Sequence, residues 1–397
     1  VRIFISHMVE ECRLAAAWKE LLRRISRGAL AAWHATGDRD ELVEPYLQDS
    51  KVVLAILTPR SAERPEILWE CGIARGQGTK EILPLLFGCR PSGPLSTMPC
   101  CEADNREQVA ALCRRLLEAG GIEEPADWDG ALDTYIEAIR LSMHSVRAQR
   151  RIAPAPAWAV EAGEFGADAA QNPWVAFEVH SRLSRTYMTL HEYEMALPEV
   201  NRALALVPDD PILLHRKGLI LLSLGRCDEA KKVLAQIGRI DPSARFDPEI
   251  AAFAGRVHRG LYEQTSDPSH LRSAILAYRR SYEKHPESYE TGVNVAHLSM
   301  LNGEIRTATT VAKNLVTICR ELQEQPPVSF RVDFALGELY LILGERERAA
   351  ESFARGLGRA PRPSARELAE ALARVRALFG SGRLAQDGLG ALERMLG

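Results

Sequence analysis

Two acidic residues, Glu66 and Glu70, stand on either side of Trp69 in the stretch Pro65-Glu66-Ile67-Leu68-Trp69-Glu70-Cys71-Gly72-Ile73-Ala74. The stretch follows an apolar run, Lys51 to Leu57, that ends at Thr58-Pro59. Proline's fixed φ suits the first position of a helix, so a helix opening at Pro65 carries Glu70 about one and a half turns in. In an α/β sheet, ligands settle beyond the carboxyl ends of the strands, beside the next helix. A carboxylate at Glu70 can therefore face a pocket. Other residues with usable chemistry sit at similar junctions. Ser6 and His7 close the first apolar run, Asp38 and Arg39 occupy a polar turn, and Ser61 precedes the helix. Each has a plainer reading. An acid near a helix start complements the macrodipole by about 0.3–1 kcal/mol without any catalytic duty. Trp69 is either core or a ligand platform, with core the reading favoured by the area a tryptophan buries. Ser61 either caps the helix or serves a ligand. His7 is either a ligand contact or a solvated loop residue, and Asp38 and Arg39 are also readable as an ordinary charged turn.

The elements that must position these residues follow in order. Val1 to Ile5 is short, β-branched and apolar, which predicts a buried strand delivering Ser6 and His7 to a loop. Because the chain opens inside this strand, residues are expected to precede Val1. Val9, Leu14, Trp18, Leu21, Leu22 and Ile25 recur at helical spacing. Ala29 to Trp33 predicts a second strand, and Leu42 to Asp49 a short helix. Lys51 to Leu57 is apolar without alternation, as strands covered on both faces are. After the helix at Pro65, Glu81 to Phe87 predicts a fourth strand, and a fifth is placed near Cys100-Cys101. Residues 106–119 and 129–148 then read as helices. Strands alternating with helices argue for a parallel sheet.

In the order Ile3-Phe4-Ile5-Ser6-His7, the polar loop 36–40, KVVLAILTPRS, LWECGIARG and ILPLLF, residues 1–148 resemble a TIR domain. The resemblance implies a flavodoxin-type fold and, as in many members, cleavage of the nicotinamide–ribose bond of NAD, with NAD as substrate and no cofactor. It maps the family's essential glutamate onto Glu70. It assigns substrate contacts to Ser6, His7, Asp38, Arg39, Ser61 and Trp69. Nicotinamide leaves from an oxocarbenium-like transition state, and a carboxylate beside the ribose can stabilise that charge and hold its hydroxyls. One departure is on record. Plant and animal members place the glutamate four residues after a tryptophan, whereas Trp69 here immediately precedes Glu70. Glu66 is accordingly the fallback acid. No Walker-type loop, glycine-rich dinucleotide fingerprint, GxSxG elbow or zinc spacing is present.

Ile152 to Ala157, rich in Pro and Ala, opens a linker over 149–172, beyond which self-similarity takes over. Pro208 and Pro242 close units of 34 residues. Gly218, Gly225, Ala230 and Leu234 reappear in register as Gly337, Gly344, Ala349 and Phe353. Small residues let paired helices approach, large ones fill the seam, and proline ends the pair. This pattern resembles tetratricopeptide (TPR) repeats over 173–363, with insertions near 265–270 and 324–327. Tyr187, Tyr278 and Tyr340 are read as scaffold. Part of the array, from about 170 to 320, is similar to the TRAFs-binding, TPR-containing region of apoptosis signal-regulating kinases. Residues 364–397 read as capping helices.

The net charge of -3 and pI near 6.4 give no footprint for nucleic acid. Eight scattered cysteines without a CxxC pair suit the reduced thiols of a cytoplasmic protein. No run approaches the ~20 apolar residues of a membrane span. The reading that follows is an NAD-cleaving enzyme regulated by a TPR array that senses a protein or peptide ligand or self-associates, as in bacterial antiphage or stress defence. The alternatives are a non-enzymatic TIR–TPR adaptor and a nucleotide-signal receptor.

Overall fold

A computed structural model describes residues 2–34, 43–62, 64–76, 78, 80–91, 93–152, 172–286, 288–324, 328–382 and 389–396. The chain divides into two compact units, Val1–Lys217 and Gly218–Gly397. The first contains a five-stranded parallel sheet in the order β2-β1-β3-β4-β5. Its strands are β1 (Arg2–Ser6), β2 (Ala31–Trp33), β3 (Val52–Leu57), β4 (Glu81–Leu86) and β5 (Cys101–Glu102). The helices between and after them are α1 (Cys12–Ser26), α2 (Val43–Asp49), α3 (Pro65–Gly76), α4 (Arg106–Gly120) and α5 (Trp128–Gln149).

β3 is buried at every position, which is why its sequence does not alternate. Its odd and even residues feed two separate cores. Leu54 and Ile56 join Ile3 and Ile5 of β1 against α1, α4 and α5, around Trp18 and Tyr135. Val53, Ala55 and Leu57 join Phe4 against Ile67, Cys71 and Ala74 of α3. The order reverses between β1 and β3, so their carboxyl ends open the crevice that such sheets offer to ligands.

Helical hairpins fill the rest of the described chain. They are α6 (Pro173–Thr189) with α7 (Tyr193–Leu206), α8 (Pro211–Ser223) with α9 (Cys227–Ile240), α10 (Pro248–Thr265) with α11 (Pro268–Lys284), α12 (Tyr289–Leu301) with α13 (Ile305–Gln323), and α14 (Phe330–Ile342) with α15 (Arg346–Leu357). The last two helices are α16 (Ala365–Gly380) and α17 (Leu389–Leu396). The linker expected at 149–172 lies outside the described residues from 153 to 171. The hairpin α6–α7 belongs to the same compact unit as the sheet.

Repeat identity is written in the turns. Gly225, Gly303 and Gly344 each join the two helices of a hairpin at positive φ (73°, 84° and 80°), a conformation that costs other residues Cβ strain. The interior glycines have a different task. A Cβ on Gly337 would stand 2.8 Å from the Phe353 ring, and one on Gly218 would overlap the ring of Phe253. These aromatic rings occupy the space the missing side chains leave. Tyr278 and Tyr340 are buried as scaffold, while Tyr187 is half-buried. The insertion expected near 265–270 falls where α10 ends at Thr265 and α11 begins at Pro268, and that expected at 324–327 lies outside the described residues from 325 to 327.

Candidate functional site

The buried face of α3 carries Ile67, Glu70, Cys71 and Ala74, one stripe at helical spacing. Glu70 therefore turns toward the sheet. Ser6, at the end of β1, lies on the face of the sheet that Phe4 presents to α3. Its hydroxyl donates to Glu70 Oε2 at 2.5 Å, and both residues are buried. The neighbouring Cys71 thiol is pushed up to about 12, first by burial and then by the Glu70 charge. It is thus no thiolate nucleophile at neutral pH.

Around this pair the carboxyl ends of β1, β2 and β3 gather further polar groups. His7 Nδ1 lies 2.6 Å from the Met8 carbonyl, and its Nε2 lies 3.3 Å from His34 Nδ1. A carbonyl only accepts, so the proton sits on His7 Nδ1, and His34 Nδ1–H donates to His7 Nε2 when His7 is neutral. Beyond β3, Thr58 Oγ1 donates to Glu11 Oε1 at 2.5 Å, and the Thr58 N–H donates to Ser61 Oγ at 2.9 Å. Met8 N–H donates to the other Glu11 oxygen at 3.0 Å. Burial pushes the Glu11 carboxyl up, against the hydrogen bonds of Ser61, Thr58 and Met8. The site thus holds two buried carboxyl groups, each accepting from the hydroxyl that ends a strand.

Ser6, His7, Ser61 and Glu70 accordingly meet at one end of the sheet, all buried. Three expectations need correction or relocation. Trp69 is 58% exposed and is not core. It falls one position off the buried stripe of α3, so the helix turns it outward. Ser61 does not cap α3, which begins four residues later at Pro65. It ties the turn after β3 instead. Glu66 is exposed in the first turn of α3, away from the buried cluster. Asp38 and Arg39 lie outside the described residues. The sequence reading missed Glu11, Thr58 and His34. Thr58 and Glu11 had a recoverable signal, a polar residue ending a strand and an acid opening a helix. His34 had little, since β2 is only three residues long. No group of three His, Cys, Asp or Glu side chains able to hold a metal ion occurs among the described residues.

The second unit has its own concave feature, a cavity of about 280 Å³ lined by Tyr289, Phe330, Phe334, Glu370 and Arg374 among others. Beside it, Arg374 makes a two-pronged ion pair with Glu338 (2.7 and 2.8 Å), and His297 Nδ1 lies 2.5 Å from the same carboxylate.

Residues 192–299 match the family Tetratricopeptide Repeats-Sensor. The match supports TPR-like helical repeats over these residues. Among solved structures, the chain is similar to a thermophilic TPR protein of Thermus thermophilus, TTC0263, at 22% identity, covering 51% of this chain and 99% of that one with a TM-score of 0.40. It is also similar to the MamA protein, at 15% identity over 46% of this chain and 90% of that one, TM-score 0.33. No curated protein matches. No described helix is long and apolar enough to cross a membrane.

Proposed function

We propose that the first unit carries a TIR-type enzyme that cleaves the nicotinamide–ribose bond of NAD, with the TPR array regulating it by sensing a ligand or by self-association. The observation that carries this reading is the Ser6–Glu70 pair at the reversal of strand order between β1 and β3. In the proposed reaction the Glu70 carboxylate stabilises the oxocarbenium charge as nicotinamide leaves, and the Ser6 hydroxyl holds that carboxylate in place. Water, or an adenine nitrogen in a cyclising variant, completes the substitution. The free, mostly buried thiols suit a cytoplasmic setting, and a defence role against phage or stress follows from the pairing of such an enzyme with a sensor. Purified protein incubated with NAD tests the reading by release of free nicotinamide, which Glu70→Gln abolishes and Glu66→Gln spares.

A second reading has an observation of its own. The array presents a cavity with aromatic walls and charged Glu370 and Arg374, suited to a protein or peptide ligand, and an adaptor needs no chemistry. Absence of nicotinamide release even in enforced assemblies favours the adaptor.

A further inference from the structure

A second polar cavity lies within the first unit, where the turn after β3 and the helix α5 meet α6 and the start of α8. Its volume is about 70 Å³, several times the 10–15 Å³ or so that a single water needs on this measure. Arginines dominate its surroundings. Arg60 lies 2.6 Å from Glu178, and the same carboxylate is shared with Arg182 at 3.5 Å and Arg64 at 3.8 Å. Arg185 reaches Glu10 at 3.3 Å. Asp210 is occupied otherwise: it accepts from Ser145 and Gln149 of α5 and from the Ile212 and Leu213 N–H groups that open α8.

Arg216 is the residue left over. Its Nη1 donates to the Ser181 carbonyl at 2.7 Å, to Ser184 Oγ at 3.0 Å and to Ser181 Oγ at 3.3 Å. All of these acceptors are neutral, and no ion pair within 4.0 Å joins Arg216 to a carboxylate among the described residues. Among the residues that line the cavity, Arg13, Arg60, Arg185 and Arg216 stand against the acids Glu10, Glu11 and Asp210, and Glu178 outside it is shared by Arg60, Arg64 and Arg182. A guanidinium drawn out of water without a counter-charge is costly, and planar guanidinium forks are the usual receptors of tetrahedral oxyanions.

We propose that this cavity is a binding site for a phosphate-sized oxyanion, held by Arg216 together with Arg60, Arg185 and the hydroxyls of Ser142 and Ser181. The electrostatics agree. Burial, then Arg185 and Arg60, bring the Arg216 guanidinium down to about 10, against the opposing charges of Asp210 and Glu10. The cavity borders the candidate site, since Glu11 and Thr58 line it, but none of the groups proposed to hold the oxyanion belongs to the Ser6–Glu70 pair.

The test uses the full chain, inorganic phosphate as probe, and chloride at matched ionic strength as the reference, read by titration calorimetry and thermal melting. Saturable phosphate binding is expected, weakened at least tenfold in Arg216→Gln. Ser142→Asp supplies an anion from within: it should melt higher than wild type and ignore phosphate, and it carries the test if Arg216→Gln fails to fold. An arm with phenyl phosphate separates a free oxyanion, for which the bulky ester binds more weakly, from the phosphate end of a larger molecule, for which it binds as well or better. No saturable response beyond chloride, or unchanged phosphate affinity in Arg216→Gln, overturns the proposal.

Discussion

Protonating Glu338 should loosen the second unit. This carboxyl is buried between Arg374 and His297. Burial alone would raise its pKa, but Arg374 and His297 outweigh burial and hold it down, from 4.5 to about 2. The difference corresponds to stabilisation on the order of 3 kcal/mol. Because the folded carboxyl ionises at lower pH than the unfolded one, that stabilisation is fully present above about pH 4.5 and is lost as the pH falls through about 2. His297, which burial holds below its ordinary 6.5, acts in the same sense, since the unfolded chain takes up its proton first. Glu338→Gln should reproduce the loss at neutral pH by leaving Arg374 unpaired, a change that costs about 3–5 kcal/mol in buried pairs. The assay can separate the units, because all six tryptophans occur at or before Trp174. Tryptophan fluorescence follows the first unit, and far-UV dichroism follows all helices. The variant should lose helical signal early while fluorescence is unchanged, and its stability should vary less between pH 4.5 and 2 than that of wild type. A variant with the wild-type pH profile and melting temperature would refute the reasoning.

Other consequences are read from single positions. Gly337→Ala forces a Cβ to within 2.8 Å of Phe353 and should cost about 1–3 kcal/mol in denaturant titrations. Trp69→Ser removes an exposed side chain, so stability should stay within about 0.5 kcal/mol of wild type. In alkylation at pH 7 followed by peptide mass mapping, exposed Cys100 should label first. Cys71, Cys89, Cys101 and Cys319, whose thiols burial pushes up to about 12, should label only on unfolding.

Where the chain speaks through local pattern, it was legible. β3 announces itself by an unbroken apolar run, α3 by Pro65, and the hairpins by glycines that recur at their turns. Glu70 is singled out by its place about one and a half turns into the helix after the third strand and by the family resemblance, and the structure adds that it shares the buried stripe of α3 with Ile67, Cys71 and Ala74. The same stripe excludes Trp69, and the sequence reading weighed the residue's size above its phase. What stayed hidden is long-range. Nothing local joins Arg60 to Glu178, 118 residues away, or Arg216 to the Ser181 carbonyl and Ser184 hydroxyl. Such pairings arise only when α6 and α8 pack beside the sheet.

The central claim rests on the Glu70 carboxylate, and nicotinamide release from NAD tests it most directly. Wild type and Glu70→Gln should be assayed both as dilute protein and as enforced assemblies. The account predicts release by wild type, at least in the assembled form, with a fall on the order of 100-fold or more in Glu70→Gln, the usual scale for losing a group that stabilises transition-state charge. Equal rates in the two proteins, or no release by assembled wild type, would contradict it.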